Sequence, residues 1–310
     1  MRIIKILKIL KNNPRKSMEY LTRKTITRFL FSDKQAISFL YWLRFNKKIN
    51  LKTPETFNEK LLWLTLYDRR AIQNTIVDKA EAKDYIRKKL EAASISANCI
   101  IPTIGVFDKF DEIDFSVLPS KFVMKTTHDS GGVVICDDKN SLNIPAVKAS
   151  IEKKLNCNYY WYSREWAYKD VKPRIIIEKK IDSLGTVPDD YKIFCFDGKA
   201  KYWCLCSNRD KGNSQITFDY YDMTGHLLPF MAVHKNSNRG DVKLPECWAE
   251  MVRCAEILSQ EFPHLRVDFY VDSRSVFYIG ELTLTHAGGL SPFSPPEYDK
   301  ICGQYINLPK

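Results

Sequence analysis

The chain has 310 residues, enough for two or three compact units, and 45% of them are apolar. This composition excludes wholesale disorder, and no stretch approaches the ~20 consecutive apolar residues of a membrane-spanning helix. The net charge of +11 comes from one segment: residues 1–60 hold 15 Lys and Arg against four acids, whereas the remainder holds 33 of each sign. Such a local positive field favours an anionic partner.

The first sixteen residues, MRIIKILKILKNNPRK, predict a basic amphipathic helix with an Ile and Leu face. Two interpretations stay open: the helix lies in the headgroup region of an anionic membrane, or it packs on its own domain with its lysines in solvent. Nine scattered cysteines without a CxxC pair predict free thiols in a reducing compartment. We therefore expect a cytoplasmic protein, with residues 1–31 as a candidate peripheral anchor to the inner membrane face.

Helical patterns dominate the first third of the chain. Ser, Thr or Asp followed three residues later by Gln or Glu is the signature of a helix N-terminus. This signature predicts helices over Asp33–Phe45, Phe57–Tyr67 and Lys79–Ala92. The first third should therefore be mainly helical.

Strand patterns follow at 99–107, 121–127, 133–136 and 174–181, interrupted by a predicted helix over 144–155. Thereafter strands pair in predicted hairpins around Asp197-Gly198, Thr224-Gly225 and residues 273–275, with one helix over 246–262. The fold class is α+β. We expect four segments, at 1–50 (basic, helical), 51–117 (a helical or mixed front lobe), 118–186 and 187–310.

A lysine followed by a small-residue turn is the first candidate binding feature. Lys125 ends a strand and precedes His128 and the turn Ser130-Gly131-Gly132. Exposed backbone N–H groups in such a turn can cradle phosphates, and the lysine adds a positive charge. The alternative is a plain hairpin with an exposed lysine, and His128 taken alone fits a turn residue better than a ligand.

Two neighbouring strands carry the second candidate feature. Arg266 and Asp268 share a strand face, as do Glu281 and Thr283 on the next strand, and the tight turn between them brings Asp268 opposite or diagonal to Glu281. Two close carboxylates repel unless a cation lies between them, and oxygen ligands suit Mg²⁺. The alternative is a surface ladder of ion pairs around Arg266.

A third group of charges flanks the segment between two further strands. Glu178 lies near the end of an apolar strand, and Asp190 and Lys192 share a face of the next strand. Such groups could serve ribose hydroxyls and phosphates, but charges at sheet edges are equally ordinary in solvent.

Seven segments in this order resemble the ATP-grasp ligases, and closely their TupA-like branch, which is typified by teichuronopeptide biosynthesis. The resemblance covers roughly residues 50–295 and little of the first 50. It is carried by TFNEKLLWL (56–64), VDKAEAKDYI (77–86), IPTIGVFDKFDEIDF (101–115), LPSKFVMKTTHDSGGV (118–133), DYKIFCFDGK (190–199), RVDFYV (266–271) and GELTLTHAGG (280–289).

The resemblance implies that ATP and Mg²⁺ bind between two α+β subdomains, the small (lid) subdomain at 118–186 and the large one, with the metal site, at 187–310. It places Lys125 at the α- and β-phosphates, with His128 and Ser130-Gly131-Gly132 in the nucleotide site. It places Glu178 and the backbone near Ile181 at the adenine, and Asp190 at the ribose.

The same resemblance assigns Lys192 and Arg266 to the γ-phosphate or acyl-phosphate, and Asp268, Glu281 and Thr283 to Mg²⁺. The chain departs from the wider superfamily in two places. Thr283 replaces a frequent Asn ligand, and His286-Ala287 stand where many members have Pro-Gly. The third metal ligand and the substrate end of this loop are therefore open.

The implied function is ATP-dependent joining of a carboxylate to an amine through an acyl-phosphate. By resemblance, the carboxylate is a uronic acid or similar group of a cell-surface polysaccharide or its precursor, and the amine is an amino acid. The alternatives are a non-catalytic binder of an anionic polymer or nucleic acid, or a glycosyltransferase or phosphotransferase. Nucleic acid is not the expected partner, because residues 61–310 are charge-balanced.

Overall fold

The computed structural model describes residues 18–19, 22–23, 29–182, 187–209 and 214–309. The amphipathic helix predicted for the first sixteen residues lies outside this part of the chain. Within it, no helix is both long enough and apolar enough to cross a membrane. All nine cysteines are described, and none forms a disulfide.

Local capping chemistry sets most helix boundaries. Ser32 and Thr56 each form a complete capping box with the residue three positions on, and Asn143 caps a third helix through its side chain. The helices are α1 (Asp33–Phe45), α2 (Phe57–Tyr67), α3 (Ala71–Val77), α4 (Glu81–Ala92), α5 (Ile144–Leu155), α6 (Tyr160–Ser163), α7 (Trp248–Ser259) and α8 (Glu297–Gly303). Helix α3 was not predicted by the sequence patterns.

The strands confirm the predicted α+β class. They are β1 (Thr103–Phe107), β2 (Phe122–Thr126), β3 (Val133–Cys136), β4 (Ile175–Lys179), β5 (Asp190–Phe196), β6 (Lys199–Ser207), β7 (Thr217–Tyr221), β8 (Met231–Ala232), β9 (Leu265–Val271), β10 (Phe277–Thr283) and β11 (Phe293–Ser294).

A four-stranded antiparallel sheet has the order β1-β4-β2-β3. One face packs on α5 and buries Phe122, Met124 and Ile177 in a core of its own. The opposite face carries Val123 and Lys125, because neighbouring residues of a strand alternate between faces. Strand β1 belongs to this sheet, so the predicted segment boundary at 117/118 divides the sheet.

A five-stranded antiparallel sheet has the order β10-β9-β5-β6-β7. One face packs on α7 and also on α3 and α4, so Ile86 and Leu90 share a core with Ile193 and Leu258. Helices α3 and α4 therefore share the core of this sheet, whereas Leu62 and Leu66 of α2 pack with Ile37 and Tyr41 of α1 in a separate cluster. The other face places charged residues of β5, β9 and β10 next to each other.

The hairpin predicted around Thr224-Gly225 is wrong beyond its turn. The chain turns back there, but Leu227 makes only an isolated bridge with Tyr221. Pro229 follows and has no N–H to donate, which ends pairing with β7. The next strand, β8, pairs with β11 instead.

Candidate active site

A cleft separates the two sheets and contains a cavity of about 270 Å³. Its apolar walls come from both sides, and its rim carries four basic residues. The lining includes Val123, Val133, Ile135, Ile181, Val187 and Tyr270 as walls, with Lys125, Lys179, Lys180 and Arg209 as cations. A flat apolar slot with cations at one side suits a ligand that joins an aromatic base to anionic groups.

On the four-stranded sheet, one carboxylate is shared by two lysines. Glu178 on β4 accepts from Lys125 on β2 at 2.7 Å and from Lys83 on α4 at 2.5 Å. Burial opposes ionisation of Glu178, but the two ammonium groups outweigh it and lower the pKa of the carboxyl. The trio carries one net positive charge at the cleft.

The turn after Lys125 is held by one lysine from the turn before α4 and one from α5. Lys79 donates to the Asp129 carbonyl, and Lys154 lies 3.2 Å from the Asp129 carboxylate. A Cβ at Gly132 would lie 1.9 Å from Thr126 Oγ1, so this close approach requires glycine. The turn is thus fixed at its base, while Ser130 and Gly131 at its tip are exposed.

His128 has a different environment from its predicted place in the nucleotide site. It is buried, and its Nε2 lies 3.0 Å from the Cys157 carbonyl oxygen. The structure thus places this ring in contact with the chain after α5, as a residue that supports the turn.

On the five-stranded sheet, three cations and three acids form one continuous network. Lys192 on β5 bonds Asp190 at 2.5 Å and Asp268 on β9 at 2.6 Å. Arg266 holds Asp268 through two parallel bonds of 2.6 and 2.7 Å. Arg209 extends the network to the cavity through a 2.7 Å bond to Asp190. Positions far apart in sequence therefore meet at the cleft.

The network shifts the ionisation of its members. Burial opposes the charged form of Asp268, but Arg266 and Lys192 outweigh it and lower the pKa of the carboxyl. Burial likewise opposes the charge of Lys192, but Asp190 and Asp268 prevail and raise its pKa. For Asp190, burial prevails and raises the pKa. Its Oδ1 is buried and has no hydrogen-bond partner among the described residues, so it remains free to accept from a ligand hydroxyl.

The register confirms that Glu281 lies directly opposite Asp268. Glu281 remains partly exposed, and it meets the Arg266 guanidinium at 3.3 Å. Thr283 Oγ1 accepts from the same guanidinium at 3.0 Å. The predicted metal trio is therefore assembled at the outer end of the network.

Mg²⁺ that accompanies a nucleotide would take its protein ligands from the described residues of this cleft. They contain no group of three or more His, Cys, Asp or Glu side chains arranged for a metal. Asp268 accepts three bonds from Arg266 and Lys192, whereas Glu281 and Thr283 keep more of their oxygen lone pairs available. Hard oxygen ligands next to an anion-binding cleft fit Mg²⁺ that shares its ligands with phosphate. A carboxylate has about four lone-pair sites, so Asp268 keeps one on Oδ1 with which it could join this set while its cations stay in place.

The sequence patterns did not indicate three residues of this site, Lys79, Lys83 and Arg209, nor the contact of His286 with Arg266. Lys79 and Lys83 are four positions apart, a spacing that places side chains on one side of a helical segment, and this was the available signal. Arg209 follows β6 in an irregular segment and carries no periodic signal.

A sequence profile of the TupA-like ATP-grasp family matches residues 59–307. No curated protein matches the chain. Among solved structures, the chain is similar to a D-alanine–D-alanine ligase from Bacillus anthracis complexed with ATP (16% identity, TM-score 0.38, 68% of this chain and 54% of that one). It is also similar to an L-amino acid ligase from Bacillus licheniformis (13% identity, TM-score 0.45, 87% and 58%). The chain spans little more than half the length of these two proteins.

Proposed function

The chain belongs to the TupA-like ATP-grasp family, and on that premise we propose that it is an ATP-dependent ligase that joins a carboxylate to an amine. The observation that carries the proposal is the chain of ion pairs from the cavity to the outer carboxylate. It runs through Arg209, Asp190, Lys192, Asp268, Arg266 and Glu281. Such a chain connects a base-sized apolar slot to a cluster suited to phosphoryl transfer.

The proposed nucleotide site uses the residues that line or border the cavity. Lys125 and the turn tip at Ser130 and Gly131 would contact phosphates, and Ile181 would line the adenine slot. Asp190, whose Oδ1 has no partner in the described part of the chain, would accept from a ribose hydroxyl. Bound Mg²⁺ would neutralise phosphate charge, held by Glu281 and Thr283, with Asp268 as a third ligand.

The reaction proceeds in two transfers. The carboxylate oxygen of the acceptor attacks the γ-phosphorus of ATP, which forms an acyl-phosphate and releases ADP. The amine then attacks the acyl carbon, the phosphate leaves with its bonding electrons, and the nitrogen loses a proton. Lys192 and Arg266 offset the negative charge that spreads over the phosphoryl oxygens, and their fixed positions reduce the cost of reorganisation.

We propose a uronic acid or similar carboxylate of a cell-surface polysaccharide or its precursor as the acceptor, with an amino acid as the amine. Family resemblance and the positive charge of residues 1–60 support an acidic acceptor.

The reaction is tested by assaying ADP, phosphate and amide with panels of uronic acids and amino acids. A ligase forms all three products only when both substrates are present. A phosphotransferase would stop at a phosphorylated acceptor, and a glycosyltransferase would need a sugar donor. A non-catalytic polymer binder would show salt-sensitive binding without ADP, which would overturn the proposal.

We also propose that residues 1–31 hold the protein at an anionic membrane face, because the end of this basic segment exposes apolar side chains. Phe29, Leu30 and Phe31 are 53%, 74% and 38% exposed. Aromatic and aliphatic side chains next to clustered lysines suit the headgroup boundary of an anionic bilayer.

Co-sedimentation with phosphatidylglycerol vesicles tests this attachment. Deletion of residues 1–12, or Leu30→Asp, should reduce sedimentation at low salt, whereas Val117→Asp should not. Val117 is an apt control because it is 76% exposed and lies far along the chain. Equal sedimentation of all four proteins would contradict attachment.

A further inference from the structure

We propose that His286 is a positioning residue for Arg266, and that it fixes the guanidinium toward the reacting carboxylate and phosphoryl oxygens. The inference rests on the proposed function for its catalytic consequence. Its structural part rests on one contact: His286 Nδ1 lies 2.7 Å from Arg266 Nη1, and both side chains are buried.

The chemistry of the contact determines the tautomer. Arginine remains protonated and offers only N–H donors, so Nδ1 of His286 must be the acceptor. The ring proton therefore resides on Nε2, which lies 3.5 Å from the Tyr220 hydroxyl. Tyr220 donates its own proton to the Ala232 carbonyl at 3.2 Å, so its oxygen is free to accept.

Three other residues bond the Arg266 guanidinium, and in the described part of the chain they leave its Nη1 to His286. Asp268 bonds Nε and Nη2, while Thr283 and Glu281 approach Nη2. A guanidinium held on one edge alone can pivot about that edge. The hydrogen bond from Nη1 to His286 prevents this rotation, because it fixes a third nitrogen of a rigid, planar group.

Because the His286 ring is a neutral acceptor, its hydrogen bond to Nη1 does not offset the positive charge of Arg266. Asp268 and Glu281 already offset that charge, and a third carboxylate would reduce the attraction for an anionic substrate further. Burial first, and then the positive charge of Arg266, lower the pKa of His286, which keeps the ring neutral.

The loop that carries His286 is itself held in place. Ala287, Gly288 and Gly289 all have positive φ, and a Cβ at Gly289 would lie 2.9 Å from the side chain of Leu62 on α2. The imidazole also packs edge-on against Phe194 on β5, with ring centroids 5.0 Å apart. The backbone and the ring are therefore both fixed, as a positioning residue requires.

Two substitutions separate positioning from packing. His286→Asn keeps an acceptor oxygen near the position of Nδ1, whereas His286→Phe keeps the ring but removes the acceptor. The first readout is the motion of the Arg266 Nε–H group, measured by ¹⁵N NMR and assigned by its loss in Arg266→Lys. We expect this group to be rigid in the wild type and His286→Asn, and mobile in His286→Phe.

Histidine ¹⁵N spectra of the wild type give a second test, which reads the tautomer of His286 directly. We expect an unprotonated Nδ1 and a protonated Nε2 for His286 at neutral pH, assigned by its loss in His286→Asn. The opposite tautomer, a charged ring, or an equally rigid Arg266 in His286→Phe would overturn the inference.

The catalytic consequence is measured separately. Loss of a hydrogen bond to a charged group should lower ADP formation by His286→Phe about 10-fold or more, with ATP affinity retained and His286→Asn close to wild type. Equal activity of the two variants would show a packing role. A wild-type protein that forms no ADP with any substrate pair would contradict the proposed function, while the NMR result would still decide the contact.

Discussion

On the side of the four-stranded sheet, the Glu178 carboxylate is shared by Lys125 of β2 and Lys83 of α4. On the side of the five-stranded sheet, three cations are paired with three acids. The first side therefore keeps an excess positive charge beside an open apolar slot. The second side is neutral, and most of it is buried. This difference separates two tasks: excess charge attracts and holds an anionic ligand, whereas paired and immobilised charges meet a reacting group without reorganising.

We expect the largest effect from Asp268→Asn, which removes one negative charge from the neutral network at the five-stranded sheet. Asp268 is 1% exposed and bonded to both Arg266 and Lys192, so its loss leaves two buried cations under-compensated. We expect unfolding free energy to fall by about 3–5 kcal/mol in urea titrations and turnover to fall at least about 10³-fold. Asp108→Asn, in an exposed ion pair with Lys172, is the control and should leave the unfolding free energy nearly unchanged. Equal losses in the two variants would contradict the network.

Glu281→Gln tests the outer end of the same network. The side chain is 44% exposed and makes long contacts, at 3.3 Å with Arg266 and 3.4 Å with Thr283, so folding should tolerate the change. Turnover should fall by about 10²-fold, because one charge is lost where the metal and phosphate meet. The measurement is steady-state ADP formation beside the melting temperature. Near-normal turnover would reduce Glu281 to a member of an ion-pair ladder.

Glu165 is a buried acid outside this network, and nearby charges do not compensate the cost of burying its carboxylate. Burial raises the pKa of Glu165 from its ordinary value to about 7. The stability linked to its proton is complete below its ordinary pKa and is lost as pH rises through about 7. Glu165→Gln should therefore gain about 2–3 kcal/mol over wild type between pH 5 and pH 8, measured by denaturant unfolding. A constant difference between the two proteins would contradict the raised pKa.

Lys83→Met tests the positive side of the cleft. Without Lys83, the Glu178 carboxylate has Lys125 as its remaining ion-pair partner, so less of the Lys125 charge is available to phosphate. Affinity for MgATP should fall about 10-fold, as one charge-assisted contact is weakened. Calorimetric titration measures this, and Lys88→Met, an exposed lysine of the same helix, should leave affinity unchanged. Equal affinity of Lys83→Met and Lys88→Met for MgATP would contradict this role of Lys83.

Local chemistry explains which features were predictable. The starts of α1 and α2 followed from capping residues next to them, and the pairing of Asp268 with Glu281 followed from a tight turn. The bond that Asp268 accepts from Lys192, in addition to those from Arg266, was not predictable, because Lys192 reaches it from β5, 76 positions away. The ion pair between Arg209 and Asp190 was not predictable either, because it depends on the path of the irregular segment that follows β6.

The central claim is that the two sides of the cleft bind one nucleotide between them, and thermal unfolding with MgATP tests it most directly. Ligand at a hundred times its dissociation constant stabilises the native state by about 2.7 kcal/mol, which is readily seen as a higher melting temperature. We predict a rise for the wild type, most of it removed by EDTA, and little or no rise for Lys125→Met or for Asp268→Asn. No rise for the wild type at millimolar MgATP, or an equal rise in all three proteins, would contradict the account.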